Sequence, residues 1–134
     1  MRSYFLGGGS DSGMSIEATC IETIPNNSLV HVYKEGSVLK VRIASRATDY
    51  YANFFIKVGG ETNSVLKCLK NVSLALYDSI TVGDIYLGTN GVITNDPPAA
   101  GSGLLNQHAG FCDGKTILVD FSQPAVKLVS TVGS

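Results

Sequence analysis

Short runs in which apolar and polar residues alternate follow one another along most of the chain. The clearest run covers residues 38–44, VLKVRIA in one-letter code. Such a period of two is typical of a half-buried β-strand. Residues 28–33 predict the strand that pairs with it across a turn at 34–37. Residues 50–58 predict a third strand, rich in aromatic residues and ended by Gly59-Gly60.

Two dipeptides in the second half of the chain favour tight hairpin turns. Asn90-Gly91 and Asp113-Gly114 each lie between short apolar segments. Both dipeptides are predicted to have positive φ, a conformation that glycine adopts without steric penalty. Residues 63–76 keep no single period and predict either one long strand or a bent pair. Residues 126–129 predict a final edge strand.

The chain shows no convincing helical period, and its turn signals recur about every 8–12 residues. We therefore predict an all-β fold, a small β-barrel or β-sandwich of about eight to ten short antiparallel strands. Residues 1–14 contain Gly7-Gly8-Gly9 and predict a flexible N-terminal arm. Residues 15–134 predict a single β domain.

The predicted arm carries three apolar residues ahead of its glycines, namely Tyr4, Phe5 and Leu6. An apolar tip on a flexible tether is suited to docking on a neighbouring subunit, so these residues are candidate partner contacts. The alternative interpretation is a frayed chain end.

Charged residues make up only 16% of the chain, against a usual fraction of about a quarter. Few charges beside 44% hydrophobic residues indicate a protein that works within an assembly. The formal net charge is −1 and the basic residues are scattered, so we expect no nucleic-acid partner. No apolar run approaches the roughly 20 residues of a membrane helix, so we expect no membrane partner.

The residues that could support catalysis do not form a recognised motif. The three cysteines lack a Cys-x-x-Cys pair and predict buried or half-buried free thiols in a reducing cytoplasm. His31 lies between two valines of a predicted strand and should face solvent. A thiol site of His108 with Cys112 is conceivable, but Asp113-Gly114 is already explained as a turn. We predict no enzyme activity, no cofactor and no metal, and rank a small hydrolase lowest.

Several segments occur in an order that resembles a known family. They are residues 80–94, which contain GDIYLGTNGVIT, then Pro97-Pro98, a Gly-Ser-Gly loop at 101–103, QHAGF at 107–111, TILVD at 116–120 and PAVKL at 124–128. In the first half, residues 29–36, 41–44 and 51–55 fit the same pattern. The pattern, which spans about residues 22–129, resembles the head decoration or cement proteins of tailed bacteriophages.

This resemblance implies a virion structural protein that decorates and stabilises the capsid. Such a protein would bind the major capsid protein lattice on the capsid exterior, as a homotrimer at threefold positions, after assembly in the bacterial host cytoplasm. A phage tail or fibre component is the first alternative. A carbohydrate- or receptor-binding β module is the second, and it would use exposed aromatic residues among Tyr50, Tyr51, Phe54 and Tyr86.

Overall fold

A computed structural model describes residues 15–77 and 80–129 of the chain. The described residues form an all-β structure, as predicted. Five strands close into a barrel in the order β1-β3-β2-β4-β5. They are β1 (Ser15–Cys20), β2 (Ser28–Glu35), β3 (Val38–Ile43), β4 (Phe54–Ile56) and β5 (Val65–Leu69).

A second, five-stranded antiparallel sheet follows the barrel along the chain, in the order β6-β11-β10-β7-β8. Its strands are β6 (Val72–Ala75), β7 (Gly83–Leu87), β8 (Ile93–Thr94), β10 (His108–Cys112) and β11 (Thr116–Val119). A separate two-stranded ladder joins β9 (Leu105–Asn106) to β12 (Val126–Lys127). Within 15–77 and 80–129, no helix is long and apolar enough to cross a membrane.

The architecture departs from the prediction in two respects. The described residues contain twelve strands rather than eight to ten, because several consist of only two residues. The strands are also not all antiparallel, since β1 runs parallel to β3 and thereby helps to close the barrel. Residues 63–76 form the bent pair, in which β5 belongs to the barrel and β6 to the second sheet.

Two hydrophobic clusters hold these sheets together. One fills the barrel and includes Val30 and Val32 of β2. The other lies between the barrel and the second sheet and includes Leu29 of β2. Successive side chains of a strand point to opposite faces, so β2 is buried on both sides at this point. In this second cluster Ile85 and Leu87 of β7 pack with Ile117 and Val119 of β11 and with Phe121.

Both predicted hairpins form. Asn90 and Gly91 have φ of +53° and +78°, and the amide of Val92 donates to the carbonyl of Thr89. In the second hairpin Gly114 has φ of +96°, but Asp113 does not share the positive φ predicted for it. The Asp113 carboxylate accepts hydrogen bonds from the backbone amides of Lys115 and Thr116, both at 2.8 Å. These bonds stabilise the turn and lower the pKa of Asp113.

Candidate binding surface

Aromatic and basic side chains cover part of the barrel's outer face, and we call His31, Tyr33, Arg42, Tyr50 and Tyr51 the aromatic surface. Two of these residues come from β2, where the inward positions are valines. Arg42 lies opposite His31 on β3, and its guanidinium carbon is 3.7 Å from the centre of the Tyr50 ring. The tyrosine pair 50–51 comes from the loop before β4, and both side chains are exposed.

His31 lies at the centre of the aromatic surface. Its ring is 4.8 Å from Tyr51, 5.6 Å from Tyr50 and 6.0 Å from Tyr33, measured between ring centroids. Its Nδ1 lies 2.9 Å from the carbonyl oxygen of Tyr51. A carbonyl can only accept, so Nδ1 carries the proton. The prediction that His31 faces away from the barrel core is correct, although the tyrosines leave its side chain only half exposed.

The loop that supplies the two tyrosines is held by side-chain amides in place of a strand ladder. The Gln107 amide, which is buried, accepts from the Ala52 amide at 2.8 Å and donates to its carbonyl at 2.7 Å. The Asn53 amide makes the same two bonds to the backbone of Val32. These bonds occupy the backbone of Ala52 and link Asn53 to β2, so β4 begins only at Phe54, and they hold the loop that carries the tyrosines.

A cleft of about 620 Å³ adjoins the aromatic surface at Tyr51. Its walls are residues 51–53, Lys70, Gln107 and residues 121–125, and we call it the Lys70 cleft. The Lys70 ammonium lies 4.6 Å from the centre of the Phe54 ring and 5.8 Å from that of Phe121. It donates to the carbonyl of Asn53 at 3.1 Å. The cleft therefore places a lysine beside aromatic rings next to the two exposed tyrosines.

The structure separates the residues of the conceivable thiol site. His108 lies on the exposed face of the second sheet, where its Nε2 is 3.0 Å from a carboxylate oxygen of Asp84 and its ring meets the edge of Tyr86. Cys112 is fully buried in the cluster between the sheets. The two side chains thus belong to different environments, and this arrangement offers no activated thiol.

All three cysteines are free and buried, as predicted. Burial, with a smaller effect of the nearby Cys20, raises the pKa of the Cys68 thiol to about 12. A thiol with so high a pKa is protonated at neutral pH and is a poor nucleophile or metal ligand. Among the described residues, no three His, Cys, Asp or Glu side chains lie close enough together to hold a metal ion.

The residues named from the sequence as candidate contacts do not form one site. Tyr4, Phe5 and Leu6 lie outside the described residues. Tyr50 and Tyr51 come together on the aromatic surface, whereas Phe54 is half-buried beneath Lys70 and Tyr86 lies on the second sheet.

Sequence reasoning did not identify Lys70 or Arg42 as part of a site. Lys67 is exposed on β5, whereas Lys70 follows that strand and lies in the cleft. No spacing signal distinguishes the two lysines, because the rings beside Lys70 come from positions 54 and 121.

Comparisons with known proteins give a structural likeness but no sequence match. No protein-family model and no curated protein matches the chain. Among solved structures, the chain is similar to the N base of head fiber gp8.5 of bacteriophage phi29. The sequence identity is 18% and the TM-score 0.47, over 83% of this chain and 97% of that one. At these values the likeness assigns no function to this chain.

We expect the pKa of His31 to lie below its ordinary value of 6.5. Burial is the main cause and Arg42 adds to it, while the bond to Tyr51 acts in the opposite direction. His31 then binds a proton more tightly in the unfolded chain than in the folded protein. The contribution of neutral His31 to the free energy of unfolding is therefore complete above pH 6.5 and declines as the pH falls towards the pKa of the folded state. An NMR titration of the imidazole measures the midpoint, with His31→Gln assigning the signal. A midpoint at or above 6.5 would contradict the packing described here.

Proposed function

We propose that this chain is a structural protein of a tailed-bacteriophage virion, which decorates the capsid and stabilises it by binding the major capsid protein lattice. The proposal starts from the resemblance of residues 22–129 to decoration proteins. The turns and strands that carry this resemblance exist in the structure, including the Asn90-Gly91 hairpin between β7 and β8. The role is mechanical and uses surfaces, with no need for a catalytic residue.

The observation that best supports the proposal is an exposed apolar area on the second sheet. Phe111 of β10 and Leu118 of β11 are direct cross-strand partners, with 44% and 47% of their surfaces exposed. Val82, which is 66% exposed, lies near the turn that joins these strands. We call these three residues the outer apolar face. Adjacent exposed apolar side chains of this kind favour contact with another protein.

Binding only to the assembled shell would stabilise that shell by mass action. A trimer would strengthen the attachment further, because three linked contacts act together at a high effective concentration. The homotrimer, the location on the capsid exterior and assembly in the host cytoplasm are parts of this proposal. A tail or fibre component uses the same kind of surface and is the alternative that the experiment must separate.

Co-sedimentation with assembled shells of the major capsid protein from the same phage tests the proposal. The wild-type chain should bind shells, and the double variant Phe111→Ser, Leu118→Ser should bind at least about tenfold more weakly, since each buried side chain contributes more than 1 kcal/mol. Val65→Ser, at a 61% exposed position on the barrel, is the matched control and should bind normally. Binding to purified tails but not to shells would make the chain a tail component and refute capsid decoration.

Deleting residues 1–13 tests the candidate contacts Tyr4, Phe5 and Leu6. Burial of three such side chains against a neighbouring subunit is worth on the order of 5 kcal/mol before ordering costs. Shell attachment should therefore weaken, while the thermal midpoint of the isolated protein should change little. Attachment at full strength after the deletion would show that the three residues contribute nothing to the interface.

A further inference from the structure

The Lys70 cleft contains a positive charge without a matching carboxylate. Among the described residues, the ion pairs are His108 with Asp84 and Lys127 with Asp49, and neither involves Lys70. The ammonium donates to the carbonyl of Asn53 and lies beside two aromatic rings. A lysine ammonium has three donors, so two remain for a ligand. The charge of the cleft is thus complementary to an anion.

The walls on either side of Lys70 limit what kind of anion fits. The Tyr51 ring is 44% exposed and is held in place by the edge-on contact with His31. The half-buried ring of Phe121 lines the same cleft, and Ser122 and Gln123 follow it with exposed side chains. The Ser122 hydroxyl and the Gln123 amide make no hydrogen bond to the residues that the structure describes.

These groups together match the chemistry of a sugar ring that carries a carboxylate. One face of a pyranose consists of C–H groups and packs on an aromatic ring, while its hydroxyls require donors and acceptors at the edge. Aromatic walls with a few free polar groups are the usual composition of a small-molecule site. A volume of about 620 Å³ accommodates one or two such rings. The isolated ammonium selects an acidic ring over a neutral one.

We propose that the Lys70 cleft binds an acidic saccharide unit, with its carboxylate on Lys70, its ring against Tyr51, and its hydroxyls on Ser122 and Gln123. The site is separate from the outer apolar face on the second sheet. It stands whether the chain attaches to a capsid or to a tail, so the failure of one proposal leaves the other unaffected. A virion protein with this site would contact acidic surface glycans.

NMR titration of the labelled full chain tests the site with two matched probes. Methyl β-glucuronide carries the carboxylate, and methyl β-glucoside has the same ring without it. The glucuronide should shift the signals of residues 51–53 and 121–125 in a saturable manner. The glucoside should bind at least about tenfold more weakly, because a hydrogen bond to a charged group is worth roughly 1.5–3 kcal/mol.

Three variants separate the charge from the ring. Lys70→Met keeps the aliphatic stem against Phe54 and should lose at least about tenfold in affinity for the glucuronide. Tyr51→Phe keeps the ring on which the saccharide packs and should bind the glucuronide as the wild type does. Tyr51→Ala removes that ring and should bind the glucuronide more weakly. Lys67→Met, at the exposed lysine of β5, is the control and should change nothing. Thermal denaturation of each variant confirms that it is folded.

Three outcomes would overturn the proposal. One is the absence of saturable shifts with the glucuronide, and a second is equal binding by the wild type and Lys70→Met. The third outcome is binding of an acidic protein side chain in place of a saccharide. N-acetyl-glutamate methylamide, which mimics a glutamate residue, serves as the probe for it. If this compound shifts the cleft signals and the glucuronide does not, the cleft receives a carboxylate from a protein partner and the saccharide assignment is wrong.

Discussion

Replacing Gly110 by alanine should destabilise the protein by at least about 4 kcal/mol, an unusually large effect for one methyl group. Gly110 lies in β10 at a register shift between β10 and β7, with φ of +144°. A Cβ atom added there would lie 1.8 Å from the carbonyl oxygen of Leu118 in β11. Because that neighbour is backbone, β11 must move and the ladder between the two strands must break.

Gly83→Ala is the matched control for this substitution. Gly83 has a similar φ of +134°, but no atom lies within 4 Å of the Cβ that it would gain. Its substitution should cost only the backbone strain, about 1–3 kcal/mol. Urea denaturation of the two variants then separates strain from steric overlap. Equal stabilities of Gly110→Ala and Gly83→Ala would mean that β10 and β11 do not approach each other as closely as described.

The second large effect is expected for Phe55→Ala, with a loss of about 3–5 kcal/mol. Phe55 is the largest fully buried side chain among the described residues, and it lies in the cluster between the barrel and the second sheet. Its strand partner Leu69 belongs to the same cluster. Removing the ring leaves a cavity that is lined by both sheets, which cannot close without shifting one sheet against the other.

Phe111→Ala supplies the comparison for Phe55→Ala, because it removes the same atoms from a side chain that is 44% exposed. Its effect on the free energy of unfolding should stay within about 1 kcal/mol. Both variants can be measured by chemical denaturation followed by circular dichroism. A small loss for Phe55→Ala, comparable to that of Phe111→Ala, would show that the two sheets are not coupled through this side chain.

The sequence did not reveal the importance of Gly110. Gly91 was recognised from its turn dipeptide, whereas Gly110 lies within an apolar strand between Ala109 and Phe111. Position 110 requires glycine because β11 approaches β10 closely there, and the neighbouring atom belongs to Leu118, eight positions away. A local pattern carries no information about such a contact.

The site shows the same division between local and distant causes. The alternation in β2 and β3 placed His31 and Arg42 outside the barrel, because side chains of a strand alternate regardless of what covers them. Aromatic residues of strands are more often buried in the core, but Tyr50 and Tyr51 remain exposed. Their exposure follows from the hydrogen bonds that Gln107 and Asn53 make to this loop and to β2. Those bonds link positions 55 and 21 residues apart.

The sequence alone determined the all-β class and both hairpins. Each of these depends on neighbours within a few residues, through turn chemistry or the period of two. Only the tertiary structure decided that the barrel closes through a parallel β1–β3 pair and that β2 is buried on both sides. It also brought Lys70 and Phe121 together in one cleft. These features depend on which distant segments pack together, and that choice is made by the burial of the whole chain.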